Sequence, residues 1–401
     1  MAGPAAGLRL SRRGVLSGLA GAAAAGVLAG CGSPGRNATA SGSASASRTP
    51  LVASDLSDTE RIVNWSNWPQ YIDIGPKGNH PTIDAFTKKT GISVTYNEDF
   101  NDNDEFFAKV RPLLEAGQDT GRDTWVATDW LVARLIRLGY LLPLDKANIP
   151  NIANLEPSLA DPEYDPGSVY SLPWQVTFAG IAYNEKATGG RAVSTMDQLL
   201  NDPTLKGKVT LLTEMRDTVG LVLMEQGKKL DSFTADDFSA AIDVIQQAKD
   251  SGQIKGFTGN EYTKALTSGD TAACLAWTGD VVQLRADNPA LGYVLPEAGY
   301  STGTDNFVIP SMARHKTNAE KLINYYYDPE VMAEVVAYVN YVGPVTGLKQ
   351  VLAASDPSLV KNELIFPSEE TLARGQLFRS LTAEEETSFT RAVPDPGEWL
   401  A

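Results

Sequence analysis

The chain has 401 residues, 43% of them hydrophobic, which is more than one ordinary domain needs and enough for two packed cores. Its formal charge is −15, from 34 basic and 49 acidic residues; positions 1–30 hold three of the basic residues (Arg9, Arg12, Arg13) and no acid, so the remainder carries −18. That balance excludes attraction to nucleic acid or an anionic bilayer by charge and favours a cationic ligand, and two cysteines, Cys31 and Cys274, exclude a disulfide framework or a thiolate metal site.

Taken in chain order, residues 1–30 form an export signal. Arg12 and Arg13, followed by Gly14, Val15 and Leu16, resemble the twin-arginine type, which carries folded proteins across a membrane. The run 15–29 is too short and too rich in Gly and Ala to span a bilayer by preference. Leu28, Ala29, Gly30 and Cys31 look like a lipobox, in which Cys31 is acylated and becomes the first mature residue. Residues 31–57 are Gly, Ser, Ala and Thr with few bulky side chains, so they cannot repay the entropy of ordering and form a tether. As a random coil it would reach roughly 25–30 Å, holding a folded body near the membrane.

From residue 61 strands and helices alternate. A short β-prone run at 61–66 precedes a helix at 82–90 with Ile83 and Phe86 at helical spacing and Gly91 as its cap; Ile92, Val94 and Tyr96 then alternate as a strand face. Next come a helix at 104–116, a strand at 124–128 and a helix at 130–138 capped by Gly139. The alternation returns with a strand at 208–212, a helix capped by Thr234 with Asp237 in its first turn, a strand at 271–277 and helices over 318–338. The pattern predicts an α/β architecture throughout, with βαβ units and a parallel sheet.

The only histidines, His80 and His315, sit in a Gly-Asn-Pro turn and a basic stretch, neither of them a triad setting, and both are expected at the surface. No Walker loop, dinucleotide glycine set or zinc-ligand spacing occurs, so no catalytic residue, cofactor or metal is expected. Cys274 lies in an apolar run and is expected in a core. Tyr325, Tyr326 and Tyr327 have helix-packing spacing rather than that of a ferric site, and the acidic run 97–105 lacks EF-hand spacing and reads as a solvated loop. What stands out is a set of rings and acids at strand ends, where α/β sheets place ligands: Trp68 and Tyr71, Thr128 and Trp130, Glu214 and Asp217, Trp277, and Asp305, with Asp280 placed nearby on position alone. Rings with carboxylates suit ammonium groups, since the ring face and the acid both attract the cation.

These residues carry a resemblance to the spermidine and putrescine binding proteins of bacterial polyamine ABC importers, running from about residue 58 to about 393. Its landmarks, in order, are NWPQYI from Asn67, KKTGISVTY from Lys88, SLPW from Ser171, YNEKA from Tyr183, KGKVTLLTEMRD from Lys206, LAWTGD from Leu275, DNFVIP from Asp305 and PEVM from Pro329. The resemblance implies a two-lobed fold of the periplasmic-binding-protein type (type II) with the ligand in the cleft. Lobe 1 is expected to comprise 58–175 and 304–345, and lobe 2 to comprise 176–303 and 346–401. Carried over by position, Trp68 and Tyr71 are cleft aromatics, Thr128 and Trp130 a hydroxyl and ring after the third strand, and Glu214 and Asp217 an acid pair for ammonium ends. Trp277 is a cleft tryptophan, Asp305 the central amine-binding carboxylate and Tyr341 a late tyrosine. Two positions depart: Gly303 stands where the family often has a tryptophan, and Phe378 where it has a glutamine; Trp65, Trp174 or Phe378 would have to replace the missing ring.

The implied protein is a monomeric binding lipoprotein, not an enzyme. It sits at the outer face of the cytoplasmic membrane, or in a periplasm where an outer membrane exists, and passes putrescine, spermidine or a related amine to an ABC permease. Two alternatives stay open on sequence: a binding protein for ferric ion or another small molecule, and a cell-surface hydrolase or lyase that uses the cleft acids.

Overall fold

A computed structural model describes residues 49–393. The expected signal, the lipidation site Cys31 and most of the tether lie outside the described residues, as do positions 394–401.

Ten strands, β1 (Ile62–Asn67), β2 (Ser93–Glu98), β3 (Thr124–Thr128), β4 (Ser171–Asn184), β5 (Val209–Leu212), β6 (Ile254–Thr258), β7 (Ala273–Trp277), β8 (Leu291–Val294), β9 (Tyr300–Val308) and β10 (Gly375–Leu377), join in one sheet. Their order is β2-β1-β3-β9-β4-β7-β5-β6, with β10 beside β9 and β8 beside β4. The expected βαβ units are present: β1 pairs parallel with β2 and β3, and β5 with β6 and β7. Between these parallel units, the middle of the sheet is antiparallel, β9 against β3 and β4, and β4 against β7. These two strands run directly from one lobe to the other, so no helical crossover forces them parallel to their neighbours.

Strand β4 has 14 residues, about 46 Å of extended chain at roughly 3.3 Å per residue, long enough to serve two cores. One core gathers Val63, Trp65, Leu172, Trp174, Phe307 and Tyr326, the other Phe178, Ile181, Leu211, Cys274, Leu275 and Phe389. The chain therefore passes between lobes within β4, between Trp174 and Phe178, and within β9, between Tyr300 and Phe307. A third passage differs from the expected boundary at 345. Leu348, Leu352 and Ile365 pack in the first core, and the second is first met again at Leu364, because the helix Leu348–Ser355 folds back on the helix Pro329–Val339. Trp65 and Trp174 are fully buried, 5.5 Å apart and edge to face, inside the first core. Tyr326 and Tyr327 pack there too, on or just after the helix Lys316–Tyr326.

His315 is not at the surface. It is 5% exposed, with Nδ1 3.0 Å from Asp123 Oδ1 and Nε2 2.9 Å from Glu60 Oε2. Burial disfavours its charged form, but the two carboxylates outweigh that and raise its pKa. A raised histidine adds stability that is fully present below its unfolded pKa and is lost as pH climbs through the folded value. We expect His315→Asn to cost about 1.5–3 kcal/mol at pH 6, the worth of a buried charged hydrogen bond. The cost should shrink at pH 9, as denaturant melts at the two pH values will show.

Candidate functional site

Each lobe presents the carboxyl ends of its strands to the gap between them, and the side chains that follow those ends meet there. At the end of β1, Asn67 is buried and its side chain accepts from the Trp68 amide, turning the chain so that Trp68 and Tyr71 enter the gap. Thr128 ends β3 and leads straight into the helix Asp129–Leu138, which carries Trp130. From the other lobe, Glu214 is the N-cap of the helix Met215–Glu225, its carboxylate accepting from the Arg216 amide, and Asp217 lies in the first turn. Trp277 ends β7 and starts the helix Thr278–Asp287. A Cβ on Gly279 would fall inside the Tyr341 ring, so glycine is what lets that tyrosine cross to the helix start.

All nine residues singled out on sequence line one cavity of about 750 Å³, solvent at its mouth included. Trp68, Tyr71, Thr128, Trp130 and Tyr341 come from lobe 1, Glu214, Asp217 and Trp277 from lobe 2, and Asp305 from β9 between them. Rings of Trp68 and Trp277 stand 6.4 Å apart, and Tyr71 and Tyr341 meet edge to face at 4.9 Å. Phe378 also lines the cavity, packed on Phe233 at 4.8 Å, whereas Trp65 and Trp174 do not reach it. Of the three rings considered for the place opposite Gly303, only Phe378 is in the cleft.

The electrostatics are one-sided. Six acids line the cavity, Asp102, Asp129, Glu214, Asp217, Asp280 and Asp305, against a single basic side chain among its described residues, Arg216. Asp305 accepts from Tyr71 Oη at 2.8 Å and Thr128 Oγ1 at 2.7 Å. Asp280 accepts from Tyr262 at 2.7 Å, Tyr341 at 2.8 Å and Asn260 at 2.9 Å, and Asp217 from the Trp277 indole at 2.8 Å. Asp129 is held by the amides of Trp130 and Thr304, at 2.6 and 3.1 Å. These four carboxylates are fixed by neutral donors only. Burial pushes Asp129 up to about 7, against the lowering by those amides, and Asp305 up to about 6, against its two hydroxyl donors. Burial raises Asp217, Asp280 and Glu214 as well. An acid-rich, cation-poor cleft of this kind suits an ammonium group, which would supply the missing counter-charge.

Trp130 does more than present a ring. Its indole donates across the cleft to Glu214 Oε2 at 3.0 Å, and the guanidiniums of Arg216 and Arg134 lie 4.0 and 4.6 Å from its ring centre. Arg134 and Arg137 of the same helix pair with Glu386, which belongs to the helix Ala383–Ala392 and is also 3.6 Å from Arg216. That helix is seated in the second core by Phe389, stacked on Phe238 at 3.9 Å. Glu386 thus ties the lobes together beside the cavity.

Several lining residues carry no role on sequence. Asp129 and Arg216 sit inside the strand-end strings, and Asp280 was placed only by position; the structure gives each a defined partner set. Asn103 and Asp102 belong to the run read as a solvated loop, yet Asn103 is 3% exposed and donates to Thr128 Oγ1 at 2.8 Å, while Asp102 caps the helix Asn103–Glu115. The available signal was an Asp directly before a helix pattern and after a strand, the same grammar as at Thr128 and Glu214. Nothing local marks Asn260, which follows β6 and reaches Asp280 only through the fold.

Residues 82–366 match the family described as bacterial extracellular solute-binding protein. The spermidine/putrescine-binding periplasmic protein of Escherichia coli K12 is 24% identical over 319 residues, 80% of this chain and 87% of that protein. A putrescine-binding periplasmic protein of the same organism is 30% identical over 301 residues, 71% of this chain and 77% of the relative. A solved structure from Listeria monocytogenes superposes with a TM-score of 0.74 at 26% identity, covering 85% of this chain and all of that one.

Proposed function

This chain belongs to the family of bacterial extracellular solute-binding proteins, and from that premise we propose that it captures a polyamine, putrescine or spermidine or a related amine, and delivers it to an ABC permease. The observation that carries the reading is the set of four cavity carboxylates, Asp129, Asp217, Asp280 and Asp305, held by neutral donors between aromatic walls. A protonated amine supplies the charge they lack, and the rings of Trp68, Trp277 and Tyr71 cover its methylenes. The two relatives named for spermidine and putrescine support the same ligand class.

In this reading no bond is made or broken. The ligand enters between the lobes, which close by bending where β4 and β9 cross, and the closed monomer docks on the permease. Glu386, gripped by Arg134 and Arg137 of the opposite lobe, favours the closed arrangement. Export by the twin-arginine route and a lipid on Cys31 would keep the protein at the outer face of the membrane, within reach of its transporter.

Titration calorimetry of the purified chain with putrescine and spermidine tests the proposal. Saturable binding of one amine per chain is expected. Absence of heat together with absence of any thermal shift across a polyamine panel would remove the ligand assignment and leave the fold as described.

A further inference from the structure

Resting on the polyamine reading, we propose that the cleft is built for an amine with three or four cationic centres rather than a diamine, and that Asp129, left uncovered by Gly303, receives the additional ammonium. Charge balance comes first. Of the six cavity acids, Asp102 caps a helix, accepting from the amides of Asp104 and Glu105, and the Thr213 hydroxyl bonds its other oxygen, so the helix N-terminus supplies its counter-charge. Glu214 has Arg216 at 3.9 Å. The other four accept hydrogen bonds from neutral donors only; the helix starts at Asp129, Asp217 and Asp280, and the charge of Arg216 near Asp129 and Asp217, offset part of their burial, and a diamine brings two charges. Three or four ammonium groups match the site; with two, the remaining buried acids keep their protons and add no charge attraction to binding.

Placement of the extra centre follows from β9. A Cβ on Gly303 would stand 3.1 Å from Asp129 Oδ2, closer than ordinary contact, so the missing side chain is what leaves that oxygen open to the cavity. The backbone at 303 is not left-handed, so no turn requires glycine there. Asp129 is 8% exposed, and its two amide bonds leave acceptor capacity on both oxygens. Beyond it, a second, solvent-open cavity of about 1100 Å³, solvent at its mouth included, shares Asp129, Trp130, Arg216, Leu377 and Phe378 with the first. A longer chain running past Asp129 has space to enter it, where Glu163, Asp231 and Glu386 stand on the wall together with Arg137 and Arg379.

The test compares putrescine, spermidine and spermine by calorimetry on the purified chain, its Asp129→Asn variant and its Gly303→Ala variant. We expect the tri- or tetraamine to bind at least tenfold more tightly than putrescine, and that ratio to fall to about threefold or less in both variants. A native ratio near one, or a preference for putrescine, overturns the proposal; so does a large ratio that both variants keep. Should Asp129→Asn fail to fold, Gly303→Ala, whose backbone accepts alanine, decides alone. Failure of every amine to bind the native chain rejects the polyamine reading itself, a result separate from diamine binding without selectivity.

Discussion

Asp305→Asn is expected to weaken amine binding by about 2–5 kcal/mol, roughly 30- to 5000-fold, the range for removing one partner of a desolvated charge pair. Asp305 sits on the strand shared by both lobes and is 6% exposed, with Tyr71 and Thr128 donating to its two oxygens. Both hydroxyls aim the carboxylate without neutralising it, so the remaining charge is directed at the ligand. Asparagine keeps the size and one acceptor, and loses the charge. The empty variant should melt no lower than the native chain, because it no longer buries a carboxylate without a cation. Calorimetry and thermal melts on the same samples separate the two effects. Unchanged affinity would place the ligand elsewhere; a large drop in melting temperature would make Asp305 a structural group.

Affinity is expected to rise about 10- to 100-fold between pH 5.5 and pH 8. In the empty cleft burial holds Asp305 at about 6 and Asp129 at about 7, so both carry protons in mildly acid solution. A bound ammonium favours their anionic forms, so binding expels protons below those values, and affinity gains up to one decade per pH unit for each proton expelled. The gain ends where both are already ionised and reverses when the amines, with pKa values near that of lysine at about 10.4, lose their charge. Stability of the empty protein has the opposite slope. With folded pKa values above the unfolded reference of about 4, the folded state holds more protons across about pH 4–7, and these groups reduce stability as pH rises through that window. Titrations at pH 5.5, 6.5, 7.5 and 8, in buffers of different ionisation heat, report proton release directly. A flat profile with no buffer dependence would mean that the bound cation does not neutralise these acids.

Much of the site was legible because strand ends carry a local grammar. A β-prone run followed by an acid or hydroxyl and then a helix pattern marks a side chain at the edge of a sheet, and Thr128, Glu214, Asp217 and Trp277 all obey it. Asp129 and Asp102 obey it as well but were given no role, since an acid at a helix start usually serves only the helix. Asp129 does that and also fixes Thr304 on the neighbouring strand, a contact 175 residues away in the chain. His315 was misplaced for a related reason: its basic neighbourhood points to solvent, while the carboxylates that bury it, Asp123 and Glu60, come from distant segments.

By itself, then, the amino-acid order determined the alternation of strands and helices, the acidic excess and the strand-end rings and acids that share a cavity, because these depend on side-chain periodicity, composition and position within a repeated local unit, whereas Tyr341 came only through the family resemblance. Only the tertiary structure decided which carboxylates lack a cation, where the third passage between lobes falls, and that Gly303 opens Asp129 to the cleft. Counter-charge, burial and free space are properties of what surrounds a residue, and those surroundings are assembled from segments that the sequence keeps far apart.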